Sequence, residues 1–411
     1  MRILKVFSDH YPWDVRVEKI CRALLEAGHE VHLLCRNRRE SIPGEGQVPG
    51  LRITRVPMGR LGRRVRGPVG TPVWFSPIWV AALRRLLAVD RPELVLVRDL
   101  PLAPLAMRLA HAAGVPCVFD MAEDYPAMFA AYRPWQGPLR RATNLLVRNV
   151  TVARALERRA VAESDLLLVV SEEQRRRLTG MGVDPGRILL VGNTPEREQV
   201  MAWRRSSRPV GSPASGAPAI LYVGEVHEYR GLDTAIMAMR QVRRVWPEAR
   251  LVIVGAGEGL ARLTKLAQRL GLGQEVCFRG WVHHGLIGKM IGAAELCLLP
   301  HRNGPHTATT LPNKLFDYLG LGRPVVASDV PPIRRIIERW GCGVVFRAGD
   351  PTELASALLR LRDPAQRVRL GRQAALAAEH YWWQDDRQRL LEAVELLSSA
   401  SRQTGEGDDA G

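Results

Sequence analysis

The sequence predicts an α/β protein of two Rossmann-like domains, each a parallel sheet wrapped by helices, with the two sheets facing a central cleft. Three observations carry this expectation. The chain has 411 residues, more than one ordinary domain holds. Short β-rich runs alternate with helical patterns, the signature of parallel sheets with crossover helices. The alternation stops near residue 192 and restarts at 219, after a stretch rich in Arg, Ser, Pro, Gly and Ala.

In the first domain residues 3–7 read as a strand, 17–27 as a helix stopped by Gly28-His29, and 30–35 as the next strand, which makes one β-α-β unit. Residues 94–97, 116–120, 165–171 and 188–191 continue the sheet. Residues 206–213 are the least structured part of the natural linker. The second domain opens with a strand at 219–224, a helix at 235–245 and a strand at 250–255, and continues with strands at 276–280, 295–300, 324–328 and 343–346. The expected boundaries are therefore 1–192 for the first domain, 193–218 for the linker, 219–375 for the second domain, 376–398 for a last helix and 399–411 for a tail without apolar periodicity, expected to be disordered. Open α/β sheets bind ligands beyond the carboxyl ends of their strands, so the cleft is the expected active site.

Hydrophobic content of 46% with 25% charged residues excludes a disordered or collagen-like chain. The longest apolar candidate, 72–89, is interrupted by Pro77 and Arg84-Arg85 and falls short of a membrane span. The first residues start directly on a strand pattern and leave no room for a secretory signal, so a cytoplasmic protein is expected, peripheral at the inner face of the plasma membrane or fully soluble. Six scattered cysteines lack ligand spacing and read as reduced, buried thiols. His283-His284 and the pair His301 and His306 lack metal-site spacing, so no metal is expected.

Net charge is +17, and residues 1–160 hold 26 basic and 14 acidic side chains, so +12 of it lies there. Arg52, Arg55, Arg60, Arg63, Arg64 and Arg66 form a run without an acid, and residues 133–159 carry seven arginines against the single Glu157. Such a surface suits an anionic membrane; the plainer reading is an arginine-rich composition, since only five lysines occur. Nucleic acid is not expected as a partner, because the arginines are not interleaved with stacking aromatics.

Gly255-Ala256-Gly257-Glu258-Gly259-Leu260 has Leu260 where a dinucleotide fingerprint needs its third glycine, and reads as a tight strand-to-helix turn. Gly224-Glu225 leads to Arg230 just before a helix, where a guanidinium could grip a diphosphate by forked hydrogen bonds. In Thr309-Thr310-Leu311-Pro312-Asn313-Lys314-Leu315-Phe316-Asp317-Tyr318, Pro312 opens a helix whose N-terminal amides can hold an anion. Lys314 suits a phosphate there and Asp317, one turn on, a ribose diol. The plainer readings are a surface arginine at a helix start and two solvated charges on an amphipathic helix. On the first domain, Asp14-Val15-Arg16-Val17 and Asp120-Met121-Ala122-Glu123-Asp124 follow strands; of the three clustered carboxylates, some cap a helix and others meet sugar hydroxyls.

Taken in order, these segments resemble the retaining glycosyltransferases of family 4. Asp14 to Val17 with Ala27-Gly28-His29-Glu30-Val31 is similar to the start of that family's acceptor domain, Val223-Gly224 through Arg230-Gly231-Leu232 to its donor-phosphate loop, and Leu311 through Tyr318 to its donor-binding helix. The resemblance implies a GT-B fold, a nucleotide-diphosphate sugar as co-substrate on the second domain, a lipid-linked or glycan acceptor on the first, a final helix crossing back between domains, and no cofactor or essential metal. It implies catalytic roles for Arg230, Lys314 and Glu123. Donor contacts would come from Gly224, Glu225, Trp281, Val282, Thr309, Thr310, Leu311, Pro312, Asn313 and Asp317, and acceptor contacts from Asp14, Arg16, Asp120 and Asp124. The implied activity is sugar transfer to a growing bacterial surface glycan by front-face attack; a scaffold derived from such an enzyme and a nucleotide-sugar epimerase are the alternatives. Three departures from the family pattern involve four positions. Thr309 and Asp317 stand for its paired glutamates, Glu225 for the first of its two phosphate-gripping cations, and Ala122 for its cleft histidine.

Overall fold

A computed structural model of the chain describes residues 1–12, 14–37, 48–56, 76–132, 149–207, 210 and 220–408. The basic positions Arg60, Arg63, Arg64 and Arg66, those at 133–148, most of the expected linker core and residues 409–411 lie outside the described residues. The chain divides into two compact units, Met1–Val191 together with the residues from Asp386 on, and Gly192–Asp385.

Among the described residues the first unit holds a seven-stranded parallel sheet in the order β3-β2-β1-β4-β5-β6-β7. Its strands are β1 (Arg2–His10), β2 (Glu30–Arg36), β3 (Arg52–Val56), β4 (Leu94–Arg98), β5 (Cys117–Met121), β6 (Leu166–Val169) and β7 (Ile188–Leu190). The second unit holds a six-stranded parallel sheet in the order β10-β9-β8-β11-β12-β13. Its strands are β8 (Ile220–Val223), β9 (Leu251–Val254), β10 (Val276–Gly280), β11 (Leu296–Leu299), β12 (Val325–Ser328) and β13 (Gly343–Phe346). β4, β5, β8, β9, β11 and β12 are buried along their whole length, which is why they read as continuous apolar runs and not as alternating ones. In both sheets the chain order reverses beside the first strand, between β1 and β4 and between β8 and β11, and each reversal opens a crevice at the strands' carboxyl ends.

Four expectations need correcting. β3 was missed, because its half-exposed sequence Arg-Ile-Thr-Arg-Val reads as a basic run. The expected linker contains the helix Arg197–Arg205, whose Val200 is fully buried in the core around Leu315, Tyr318 and Leu319. It lies so close to its neighbours that a Cβ on Gly320 would stand 2.9 Å from Val200. The helix expected over 376–398 is interrupted: Pro364–Ala378 ends, and a new helix, Trp383–Asp408, begins after a short break. From Asp386 that helix belongs to the first unit, where Arg387 pairs with Glu26 at 3.2 Å and Arg389 donates to the Leu190 carbonyl at 3.1 Å. Finally, the backbone stays helical to Asp408 through most of the segment expected to be disordered. Among the described residues no helix is long and apolar enough to cross a membrane.

If the segment after residue 192 were a loose tether, a charge at Val200 would be harmless. Because Val200 is a core residue, Val200→Asp is expected to lower stability by about 3 kcal/mol, in the range for an uncompensated buried polar group, read as a fall in the thermal midpoint.

Candidate functional site

In the first unit the residues expected to meet an acceptor are engaged with one another. Asp120, at the end of β5, is 0% exposed. Its Oδ1 accepts from Arg16 Nε at 2.8 Å and lies 2.7 Å from Arg16 Nη2, while Lys5 Nζ and Arg98 Nη1 stand 3.7 and 3.8 Å from Oδ2. Burial alone would raise its pKa, but Arg16 first, then Lys5 and Arg98, outweigh burial and hold it at about 2. Arg16 also donates to the Val191 carbonyl at 2.9 Å and so ties the first helix, Val15–Glu26, to the end of the sheet.

Asp14 caps that helix by accepting from the Val17 amide at 2.9 Å and pairs with Arg98 at 2.8 Å. Asp124 caps Tyr125–Tyr132 through the Ala127 amide at 2.9 Å. The expectation that one of the three clustered carboxylates caps a helix therefore holds for Asp124; Asp14, expected as an acceptor contact, is also a cap, and Asp120 and Arg16 are buried in an internal ion cluster that offers almost no surface to a sugar. Glu123 remains partly accessible on the loop after β5, close to Tyr125. Asp99, which sequence reading missed, follows β4 with a left-handed φ of 65° and is buried beside Arg98; burial, opposed by Arg98, raises its pKa to about 6.

In the second unit the structure brings the two predicted segments together at the crevice between β8 and β11. Lys314 lies in the first turn of Asn313–Gly320, with its Nζ 4.0 Å from the centroid of the Tyr222 ring on β8. That Nζ is buried and has no hydrogen-bonding partner. Burial first, then Arg230, push its pKa well below 10.5, against the opposing charges of Glu225 and Asp317. Gly224 makes room for the amine: its φ is 133°, and a Cβ there would stand 2.4 Å from Nζ.

Arg230 closes the other side. Its guanidinium lies 4.5 Å from the Tyr229 ring centroid, 2.7 Å from His301 Nε2 and 4.0 Å from Glu225, while Glu225 also accepts from the Tyr229 hydroxyl at 3.1 Å. His301 and His306 are both buried, and burial followed by Arg230 lowers both pKa values, that of His306 to about 4, so neither carries charge at neutral pH.

The remaining predicted contacts divide. Pro312 precedes the helix in extended conformation and Asn313 is its exposed first residue; Thr310 donates to the His306 carbonyl at 3.1 Å, and the Leu311 carbonyl accepts from Asn193 at 3.4 Å. Thr309 is buried. Trp281, 60% exposed, and half-buried Val282 follow β10, which β9 separates from β8, so they start roughly 10 Å from the Lys314 crevice. The glycine turn after β9 has a packing role: a Cβ on Gly255 would stand 1.9 Å from the Gly224 carbonyl oxygen, and the Val226 amide donates to Ala256 at 2.9 Å. Among the described residues no three His, Cys, Asp or Glu side chains gather as a metal site; His283 instead caps His284–Ala293. Sequence reading missed Tyr222, Tyr229 and His301. The signal for His301 was its place directly after β11 and Pro300.

Two parallel-sheet α/β units with these strand orders define the GT-B fold of glycosyltransferases. The sucrose-phosphate synthase of Thermosynechococcus elongatus shares it with a TM-score of 0.78 at 19% identity, over 97% of this chain and 99% of that one. The Anabaena protein HepE, in a crystal structure with UDP-glucose, shares it with a TM-score of 0.68 at 16% identity, over 96% and 99%. Residues 14–194 match the family described as Glycosyl transferase 4-like domain, and residues 217–363 the family described as Glycosyl transferases group 1. The chain belongs to the family 4 type of glycosyltransferases.

The alpha-D-kanosaminyltransferase of Streptomyces kanamyceticus is 27% identical over 229 residues, 54% of this chain and 58% of that protein. The 2-deoxystreptamine glucosyltransferase of the same organism is 25% identical over 405 residues, 90% and 98% of the two chains. The chain thus spans a little over half the length of the first curated relatives it matches, 58% in each case.

Removing the carboxylate of Asp120 takes away the counter-ion of buried Lys5 and Arg16, while Arg98 keeps Asp14 and Asp99, so Asp120→Ala is expected to cost about 3–5 kcal/mol in chemical denaturation. Because its folded pKa of about 2 lies below the ordinary 3.8, Asp120 stabilises the fold above pH 3.8, and that contribution is lost as pH falls from 3.8 towards 2. Denaturation of the wild type across that window should show the loss.

Proposed function

We propose that this chain transfers a sugar, with retention of anomeric configuration, from a nucleotide-diphosphate sugar held by the second unit to an acceptor held by the first. One observation carries the donor side: a buried lysine amine without a hydrogen-bonding partner, beside an arginine, in the first turn of a helix at the crevice where the strand order reverses. A diphosphate is the ligand that satisfies all of these groups. Its oxygens accept from Lys314 and from the forked donors of Arg230, and the amides of the Asn313–Gly320 N-terminus add a favourable dipole. Asp317, one turn along, suits the ribose hydroxyls. The complex of HepE with UDP-glucose supports the same ligand class.

As the donor bond breaks, negative charge grows on the leaving nucleoside diphosphate, and fixed cations in a water-poor site stabilise it more than they stabilise the ground state. Lys314 and Arg230 thereby do the work that a divalent ion does elsewhere, so transfer proceeds without a metal. Glu225 occupies the position of the first of the family's two phosphate-gripping cations, and Lys314, whose charge acts together with that of Arg230, compensates for that loss.

The acceptor is a growing, lipid-linked glycan of the bacterial surface, and the protein works at the inner face of the plasma membrane. The excess of 26 basic over 14 acidic residues in 1–160 supports this reading, since such a charge draws the chain to anionic lipid.

Calorimetry against UDP, GDP, ADP and dTDP is expected to show binding of one of them, unchanged by EDTA and weakened in Lys314→Ala by about 1.5–3 kcal/mol, the range for a charge-assisted hydrogen bond. Asp317→Ala should also weaken it. Wild-type affinity in both variants would remove the site assignment. For the acceptor side, co-sedimentation with phosphatidylglycerol vesicles should exceed that with phosphatidylcholine vesicles and fall with salt; equal binding to both speaks against membrane work.

A further inference from the structure

His301 follows Pro300 directly after β11 and is 2% exposed. Its Nε2 stands 2.7 Å from Nη1 of Arg230. A guanidinium has only donors, so this contact is a hydrogen bond only when Nε2 carries the lone pair. The imidazole is then neutral, with its proton on Nδ1, which is buried without a hydrogen-bond partner. Burial first, then the charges of Arg230 and Lys314, push the His301 pKa well below 6.5 and maintain that state at neutral pH.

The backbone fixes the pair in register. The Arg302 amide donates to the Tyr229 carbonyl at 2.9 Å. Gly231, with φ of 66°, comes so close to the 300–302 segment that a Cβ on it would stand 1.8 Å from the Pro300 carbonyl oxygen. Any side chain at 231 would force the Arg230 loop away from His301.

A carboxylate also orients an arginine, as Asp233 does for neighbouring Arg302 at 2.5 Å, but it cancels the charge it holds. A neutral imidazole orients without cancelling. We infer that His301 is a positioning residue for the transfer reaction, aiming Arg230 at the diphosphate without adding a counter-charge of its own to that of half-exposed Glu225, which stands 4.0 Å from the guanidinium. This inference rests on the diphosphate reading above, and its test separates the two.

The test measures dissociation constants for UDP, GDP, ADP and dTDP, with donor KM and kcat where turnover is found, in the wild type, Arg230→Ala, His301→Ala, His301→Gln and the double variant Arg230→Ala/His301→Ala. Thermal melting checks folding; His301→Met, similar in size but lacking the acceptor, replaces His301→Ala if the latter does not fold. His301→Ala is expected to weaken the tightest-bound nucleotide roughly 10–100-fold, as loss of an orienting partner does. His301→Gln, whose amide oxygen accepts the same hydrogen bond, should recover most of that loss. In the Arg230→Ala background the histidine substitution should add nothing. If Arg230→Ala binds like the wild type, or no nucleotide binds at all, the diphosphate reading falls and takes the positioning role with it. If Arg230→Ala weakens binding while His301→Ala does not, if the two losses multiply, or if Gln fails to rescue, only the positioning role falls.

Discussion

An amine buried without a hydrogen-bonding partner costs stability, and the second unit is arranged to tolerate one. The Lys314 head rests on the face of Tyr222, beneath a residue that has no side chain, with Arg230 near enough to depress its basicity. Tyr222 is held by its hydroxyl, which donates to the Glu225 carbonyl at 2.7 Å, and the Tyr318 hydroxyl receives the Val223 amide at 3.0 Å. Thus the strand, the loop after it and the helix carrying the lysine are joined by short polar contacts around one cation. The histidines nearby, His227, His301 and His306, all have lowered pKa values, so they shape the site without adding charge to it.

The first unit resolves the same topological position differently. At its reversal between β1 and β4, three cations, Lys5, Arg16 and Arg98, meet three carboxylates, Asp14, Asp99 and Asp120. That cluster balances its own charges, although Lys5 Nζ and Asp120 Oδ2 face each other across 3.7 Å without a hydrogen bond. Its carboxylates serve as caps and counter-ions, which knit β1, β4, β5 and the helix Val15–Glu26 together. Glu123, on the loop after β5, is partly accessible beside that cluster.

Much of this architecture was legible in the chain because buried parallel strands are unbroken apolar runs and each is followed by turn residues and a helix. The segments that meet at the crevice of the second unit were legible for the same reason: Gly224, Arg230 and Lys314 each sit one step beyond such a run or at the start of a helix. Arg16 and Asp120 misled because their partnership spans 104 residues, and nothing local to either distinguishes a counter-ion from a ligand contact. β3 hid among arginines, and the helix Arg197–Arg205 hid in a stretch whose composition resembles a tether. His301 gives little local signal, since its meaning depends on a guanidinium 71 positions away.

The glycine turn after β9 carries a last consequence. Because Gly255 presses against the carbonyl of Gly224, and Val226 is bonded to Ala256, the two loops form one interlocked surface assembled from distant parts of the chain. Changes of ligand preference made by substituting one loop alone would collide with the other. Natural or laboratory diversification of this crevice must therefore exchange both loops as a matched set, or leave both alone and vary the helix that faces them.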